Sequence, residues 1–298
     1  MPKAAVVFNP VSGQTSAERR ERVLSDAFTA AGVEPLWLET TRDDAGGEAA
    51  ARAVAAGVEL VAVAGGDGTV RAAASGLAGT GVPMAVLPSG TGNLFALNLR
   101  IPHHLGEAVE VALTGRRRPV DVGVGDVAVN GVSSFLVMAG LGFDAAMLQG
   151  TDPAFKRKHG TLAYLRSGLA ELRYPQDRYT LTLDGERAGA LRASCVLLAN
   201  VGHVRRDLAV VHGARPDDGH LDVAVIRARS LGDWVQVAAR VTLRRRWGDV
   251  RVSTFKAGRI EVSSDQGHPL EYDGEVSAEP VTAFTVQVAT GALTVCVP

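Results

Sequence analysis

The chain has 298 residues, 46% hydrophobic and 21% charged, with a formal net charge of −1. That length suits two domains or one large one, the composition is that of an ordinary soluble globular protein, and a charge so close to zero excludes the global basic field that nucleic-acid binding relies on. Cys195 and Cys296 stand in apolar strand-like runs without metal or disulfide spacing, so they read as buried thiols of a reducing compartment. The apolar part of the N-terminus is too short for a signal peptide. No apolar run approaches the roughly 18–20 residues that span a bilayer. The expectation is a cytoplasmic protein that meets a membrane, if at all, from the side.

Residues 3–8 read as a first strand, which runs into the polar turn Asn9-Pro10-Val11-Ser12-Gly13-Gln14. Residues 16–31 follow as a helix, with Val23, Leu24, Ala27 and Phe28 at helical spacing and Gly32 as its stop. Residues 35–39 read as strand, 40–44 as loop and 45–56 as a short-side-chain helix. The β-branched run Val61-Ala62-Val63 then ends in Gly65-Gly66-Asp67-Gly68-Thr69, and Arg71-Ala72-Ala73-Ala74 resumes a helix. Residues 83–87 form another strand, closed by Pro88-Ser89-Gly90-Thr91-Gly92-Asn93. Strands alternating with helices predict an open, mostly parallel α/β sheet over residues 1–120. In such sheets ligands bind beyond the carboxyl ends of the strands. Three Gly-bearing turns at strand ends therefore predict one shared site, with amide N–H groups and a helix dipole aimed at phosphate. Asp67 would repel a bare phosphate, which points to a metal-bridged phosphate or a hydroxyl partner. Neither the Gly-x-x-x-x-Gly-Lys-Ser/Thr loop nor a Gly-x-Gly-x-x-Gly in the first βα turn is present.

A helix over residues 103–114 and the cluster Arg116-Arg117-Arg118 mark a junction. Beyond it short β-rich runs are separated by Asn130-Gly131, Asp184-Gly185, Asp218-Gly219 and Asp273-Gly274. This predicts a β-rich, sandwich-like domain over residues 121–298, whose last strand is free to return to the first domain. Residues 155–172 and 234–245 read as helices within it. A cleft between the halves is the default ligand site. His203, His212 and His220 lack zinc spacing. The clusters Arg116-Arg117-Arg118, Lys156-Arg157-Lys158 and Arg244-Arg245-Arg246-Trp247 read either as solvated faces or as contacts to anionic headgroups, the last being the best placed for a membrane.

The motifs Asn9-Pro10-Val11-Ser12-Gly13, Gly65-Gly66-Asp67-Gly68-Thr69, Pro88-Ser89-Gly90-Thr91-Gly92-Asn93, Gly140-Leu141-Gly142-Phe143-Asp144, Asp217-Asp218-Gly219 and Asp273-Gly274-Glu275 span nearly the whole chain. In that order they resemble the diacylglycerol kinase catalytic-domain family, which includes soluble bacterial diacylglycerol, sphingosine and related lipid kinases. The resemblance implies an N-terminal domain like that of NAD kinases and phosphofructokinases, and ATP- and Mg²⁺-dependent phosphorylation of a lipid hydroxyl collected at a membrane surface. Carried across, it implies that Asn9, Pro10, Val11, Ser12, Gly13, Thr40, Gly66, Asp67, Gly68, Thr69, Val70, Arg71, Ala72 and Thr91 contact the nucleotide. Thr41 is the alternative to Thr40. It further implies that Glu275 accepts the proton, with Asp273 as the alternative. Asp218 and the carbonyls of Arg215 and His220 would hold a structural Mg²⁺. Arg71-Ala72 and Leu94 stand where many family members have Asn-Glu and Asp, which leaves the acceptor lipid open.

Phosphoryl transfer asks mainly for positioning and charge stabilisation. Thr69 and Thr91 are hydroxyl donors for that task, and Asp67 is a ligand for the nucleotide's Mg²⁺. Two other readings stand beside the lipid kinase: an NAD-kinase-like enzyme, and a nucleotide- or lipid-binding regulator that has lost catalysis. An edge strand of the β domain leaves a homodimer open.

Overall fold

A computed structural model of the chain describes residues 3–13, 15–142, 176–205, 208–209, 211, 213–229, 233 and 252–298. The helices expected over 155–172 and 234–245, the basic clusters at 156–158 and 244–247, His212 and the residues Phe143 and Asp144 lie outside the described residues. The chain divides into two compact units, one of Met1–Val122 with Thr290–Pro298 and one of Gly123–Ala289.

The first unit is an open α/β sheet. Its strands are β1 (Ala4–Phe8), β2 (Leu36–Glu39), β3 (Leu60–Gly65) and β4 (Met84–Pro88). They lie parallel in the order β2-β1-β3-β4, with Val6 opposite both Trp37 and Ala62. Every residue of β1, β3 and β4 is buried, because a parallel sheet covered on both faces has no place for the polar half of an alternating strand. Between the strands run α1 (Ala17–Ala30), α2 (Gly47–Ala55) and α3 (Asp67–Leu77), followed by α4 (Leu94–Asn98) and α5 (Leu105–Thr114). Helix α1 packs with α5, and α2 with α3. Of the apolar positions expected on α1, Leu24 and Phe28 are buried, whereas Val23 is exposed. Because β1 lies between β2 and β3, the chain reverses direction across the sheet between β1 and β3. That is the topological switch point, where ligands of open α/β sheets bind.

Two long strands, β5 (Arg116–Val129) and the last strand of the chain (Val281–Val297), pass from one unit into the other. The basic cluster expected to mark a junction begins β5, the strand in which the first unit ends at Val122. Arg116 donates to the backbone oxygen of Pro298 at 2.9 and 3.1 Å, and Arg117 donates to the Ala112 carbonyl and the Cys296 sulfur. Those two cations are spent on packing the final strand. Both cysteines are buried, and burial pushes the Cys296 thiol up to about 11 against the opposing pull of Arg117.

The second unit is a β-sandwich. Its further strands are β6 (Val132–Phe135), β7 (Met138–Gly142), β8 (Asp177–Leu183), β9 (Glu186–Ala193), β10 (Cys195–Ala199), β11 (His203–Arg205) and β12 (Leu208–Ala209). They continue with β13 (Leu221–Ile226), β14 (Val252–Ala257), β15 (Arg259–His268), β16 (Leu270–Tyr272) and β17 (Glu275–Val276), so the last strand is β18. One layer runs β18-β15-β8-β9, with β5 paired to β18 and β6, and the other runs β14-β13-β10-β7-β16-β17. Tyr179, Ile260 and Val286 from the first layer meet Val196, Val223 and Tyr272 from the second in one core. Three of the four expected Asp/Asn-Gly turns are two-residue hairpins with both φ positive: Asn130-Gly131 (49°, 80°), Asp184-Gly185 (51°, 85°) and Asp273-Gly274 (47°, 92°). At Asp218-Gly219 only the glycine is left-handed, at 75°, and the turn leads into β13 without making a hairpin.

Candidate active site

The three glycine-bearing turns close on one another at the switch point. Asn9, just past β1, donates from Nδ2 to the Thr69 hydroxyl oxygen at 2.8 Å, bridging the ends of β1 and β3. The amide of Ser89 donates to the Gly65 carbonyl at 3.0 Å, which ties the third turn to the second. Side chains are excluded where the turns touch. A Cβ at Gly90 would lie 2.5 Å from the Gly66 Cα, and one at Gly13 (φ 76°) would overlap the Ser89 carbonyl. The third turn is locked by Asn93, which is left-handed at φ 48°. Its side-chain amide donates to the Gly90 carbonyl at 2.8 Å and accepts from the Gly90 N–H at 2.9 Å.

The second turn is shorter than its sequence implies, because helix α3 already begins at Asp67. Asp67, Gly68 and Thr69 are therefore its first turn, whose N–H groups have no partner within the helix. The Val70 N–H does have one, the Gly66 carbonyl at 3.0 Å. The side chains of Val70 and Arg71 are buried, so past Thr69 the expected contacts have no exposed Val70 or Arg71 side chain to make them. Gly68 is exposed and a Cβ there would meet nothing within 4 Å. Asp67 accepts from the Phe95 amide at 3.3 Å. Burial pushes its carboxyl above the ordinary value, and the amides of Phe95, Leu94 and Asn93 and its own N–H recover only part of that cost. A half-buried carboxylate short of positive charge fits the hard, oxygen-seeking Mg²⁺ that accompanies a nucleotide.

The first turn is held by a residue the sequence did not single out. Arg20 on α1 is 4% exposed. It donates to the carbonyls of Asn9 (3.1 Å), Pro10 (2.8 Å) and Thr15 (3.2 Å), and its guanidinium sits 5.0 Å over the Phe8 ring. The run Glu18-Arg19-Arg20-Glu21-Arg22 looks like a solvated face, and only the direction of Arg20 sets it apart. Val11 is 89% exposed, with Ser12 beside it. Thr91 is exposed on an open groove of about 550 Å³, lined also by Gly13, Arg19, Ser89 and His103. Thr40, at the end of β2, is buried. The Thr41 hydroxyl accepts from the Asp44 amide at 3.0 Å, so Thr41 holds its own loop. Asp44 in turn accepts from the amides of Gly46, Glu48 and Ala49 and caps α2.

In the second unit Glu275 begins β17, half-buried and opposite Tyr272. Its neighbour Asp273 accepts from the amides of Leu136 (2.7 Å), Val137 (2.9 Å) and Met138 (2.9 Å), with both carboxylate oxygens engaged. Asp273 is thus a structural clamp that ties its turn to the amides of residues 136–138. Asp218, expected to bind a metal with the carbonyls of Arg215 and His220, has its Oδ2 2.6 Å from the Lys256 ammonium, and its Oδ1 accepts from the His220 amide at 3.2 Å. Among the described residues no group of three His, Cys, Asp or Glu side chains could hold a metal ion. That turn, as folded, does not fit Mg²⁺. Nor, among the described residues, is any helix long and apolar enough to cross a membrane.

Residues 3–124 match the diacylglycerol kinase catalytic domain, and residues 137–297 match the YegS C-terminal NAD kinase beta sandwich-like domain. The chain is similar to the diacylglycerol kinase of Bacillus subtilis, with 29% identity over 92% of this chain and 90% of that protein. It is 33% identical to a Pseudomonas aeruginosa protein named probable lipid kinase YegS-like, over 96% of this chain and 92% of that one. A crystal structure of a diacylglycerol kinase from Bacillus anthracis superposes with a TM-score of 0.76 at 22% identity, covering 100% of this chain and 97% of that chain. At that identity the superposition speaks for the fold alone.

Proposed function

The chain belongs to the family of lipid kinases that join a diacylglycerol kinase catalytic domain to a YegS-type β-sandwich domain, and on that footing we propose that it transfers the γ-phosphoryl group of ATP to a hydroxyl of a lipid of the diacylglycerol class, taken from a membrane surface. One observation carries the nucleotide half of this reading: the 2.8 Å bond from Asn9 to Thr69 across the switch point, which brings the first turn and the N-terminus of α3 together. The N–H groups of Gly68 and Thr69 at the start of α3 and the α3 dipole hold the phosphates. Thr69, accepting from Asn9, keeps its own proton to donate. Asp67 would hold the Mg²⁺ that accompanies the nucleotide, and that ion would supply charge neutralisation at the phosphates. Glu275 orients the lipid hydroxyl and takes its proton as the oxygen bonds to the γ-phosphorus; the bond to the β–γ bridging oxygen breaks and ADP leaves.

The test is transfer of label from [γ-³²P]ATP to diacylglycerol, ceramide, sphingosine or phosphatidylglycerol in mixed micelles, with NAD in a parallel reaction. A labelled, chloroform-extractable lipid is the expected product. Label in NADP, or ATP binding without any transfer, overturns the proposal.

A further inference from the structure

The turn that leads into β13 and the strand itself each carry an aspartate that faces one lysine. Asp222 of β13 lies directly opposite Lys256 of β14 in the antiparallel register. The Lys256 Nζ is 2.6 Å from Asp218 Oδ2 and 3.7 Å from Asp222 Oδ2, so one ammonium bridges both carboxylates. The other Asp218 oxygen accepts the His220 amide, and Asp217 is paired with the Arg215 guanidinium at 3.4 Å. Mg²⁺ demands several oxygens at about 2.0–2.1 Å in near-octahedral array. A fixed ammonium among those oxygens opposes it by both charge and space.

We propose that Lys256 is the resident cation of this turn: its ammonium fills the position between Asp218 and Asp222, and the β-sandwich of this chain is stapled by an internal lysine instead of a divalent ion. The lysine is anchored on β14, so the staple joins the turn to the sheet edge without any bound metal. The staple bears on stability and is independent of which hydroxyl is phosphorylated.

The experiment follows thermal unfolding of the nucleotide-free protein with EDTA and with added MgCl₂. Wild type and Asp218→Asn should show the same Mg²⁺-induced change in Tm. Lys256→Met leaves two facing carboxylates, and its Tm should fall by roughly 2–4 °C, the shift that follows from losing one modest interaction in a domain of this size. Added Mg²⁺ should restore that loss in Lys256→Met but not in the double variant Lys256→Met/Asp218→Asn, and Lys256→Arg should retain the wild-type Tm. A larger Mg²⁺-induced rise in wild type than in Asp218→Asn overturns the proposal, as does a Lys256→Met protein that melts at the wild-type temperature or is not restored by Mg²⁺. If Lys256→Met does not accumulate as folded protein, the comparison of wild type with Asp218→Asn decides on its own.

Discussion

Replacing Gly68 by alanine separates the ligand from the fold. Gly68 is the second residue of α3, and a methyl group there would meet nothing within 4 Å. Glycine costs a helix interior about 0.8–1 kcal/mol relative to alanine, and a first-turn position realises part of that. The variant should therefore melt at the wild-type temperature or up to roughly 2–4 °C above it. Nucleotide binding should move the other way. The methyl group occupies the open space beside the N–H groups of Gly68 and Thr69, where the proposed function places a phosphate. Losing one hydrogen bond to a charged group costs about 1.5–3 kcal/mol, which is roughly a 10- to 100-fold rise in Kd for ATP. Calorimetric titration with ATP and a thermal melt on the same preparation read both quantities. A Gly68→Ala protein that is folded and binds ATP with wild-type affinity would refute the assignment of phosphate to the N-terminus of α3.

Gly90→Ala should behave in the opposite way: its Cβ would lie 2.5 Å from the Gly66 Cα, backbone against side chain, and overpacking of about 1–3 kcal/mol should lower the Tm while it parts the second and third turns. Arg20→Ala removes the guanidinium donor from the carbonyls of Asn9, Pro10 and Thr15, of which Asn9 keeps only the 3.4 Å bond from the Ser12 amide; a stability loss of about 2 kcal/mol and a raised KM for ATP are expected, with limited proteolysis at residues 9–15 as the local readout. Glu275→Gln should lower kcat by about 10²–10⁴-fold with ATP affinity unchanged, and wild-type turnover would remove Glu275 from the proton-transfer role. In the sandwich, burial works to raise the Asp177 carboxyl, but His268 Nε2 at 2.9 Å and the amides of Gln266 and Arg178 outweigh it and hold the group below its ordinary value. A depressed carboxyl contributes stability that is present above its unfolded pKa and lost as pH falls through the folded one. Asp177→Asn should therefore flatten the acid limb of the Tm–pH curve below about pH 4, most visibly by calorimetry.

The path to the site was partly legible. Periodicity and turn chemistry are local, so the strands β1, β3 and β4, the alternation with helices, and the hairpins at Asn130-Gly131, Asp184-Gly185 and Asp273-Gly274 could be read from neighbours in the chain. The start of α3 could not. Gly-Gly-Asp-Gly-Thr has poor helix propensity, yet Asp67 and Gly68 are helical because the turn is clamped by Asn9 and the third turn. Residues 281–297 carry Gly291 in the middle, where glycine weakens a strand, but pairing with β15 at one end and β4 at the other carries the extension through as β18.

What the sequence by itself determined is the class of the chain, an α/β unit followed by a β-rich one. Glycine turns after buried strands, in the order in which they occur along the chain, resemble the diacylglycerol kinase catalytic-domain family, whose model matches residues 3–124. What only the tertiary structure decided is which polar groups remain for chemistry. Asp273 and Glu275 are two residues apart and alike in kind, but three amides from residues 136–138 consume Asp273. Arg19 and Arg20 are adjacent, but only Arg20 turns inward to hold the first turn. Asp218 reads as a metal ligand until β14 brings Lys256 to it across 38 residues. The physical reason is the same in each case: a charged side chain's role is set by what neutralises or solvates it, and that partner is supplied by a distant segment that the local sequence does not contain.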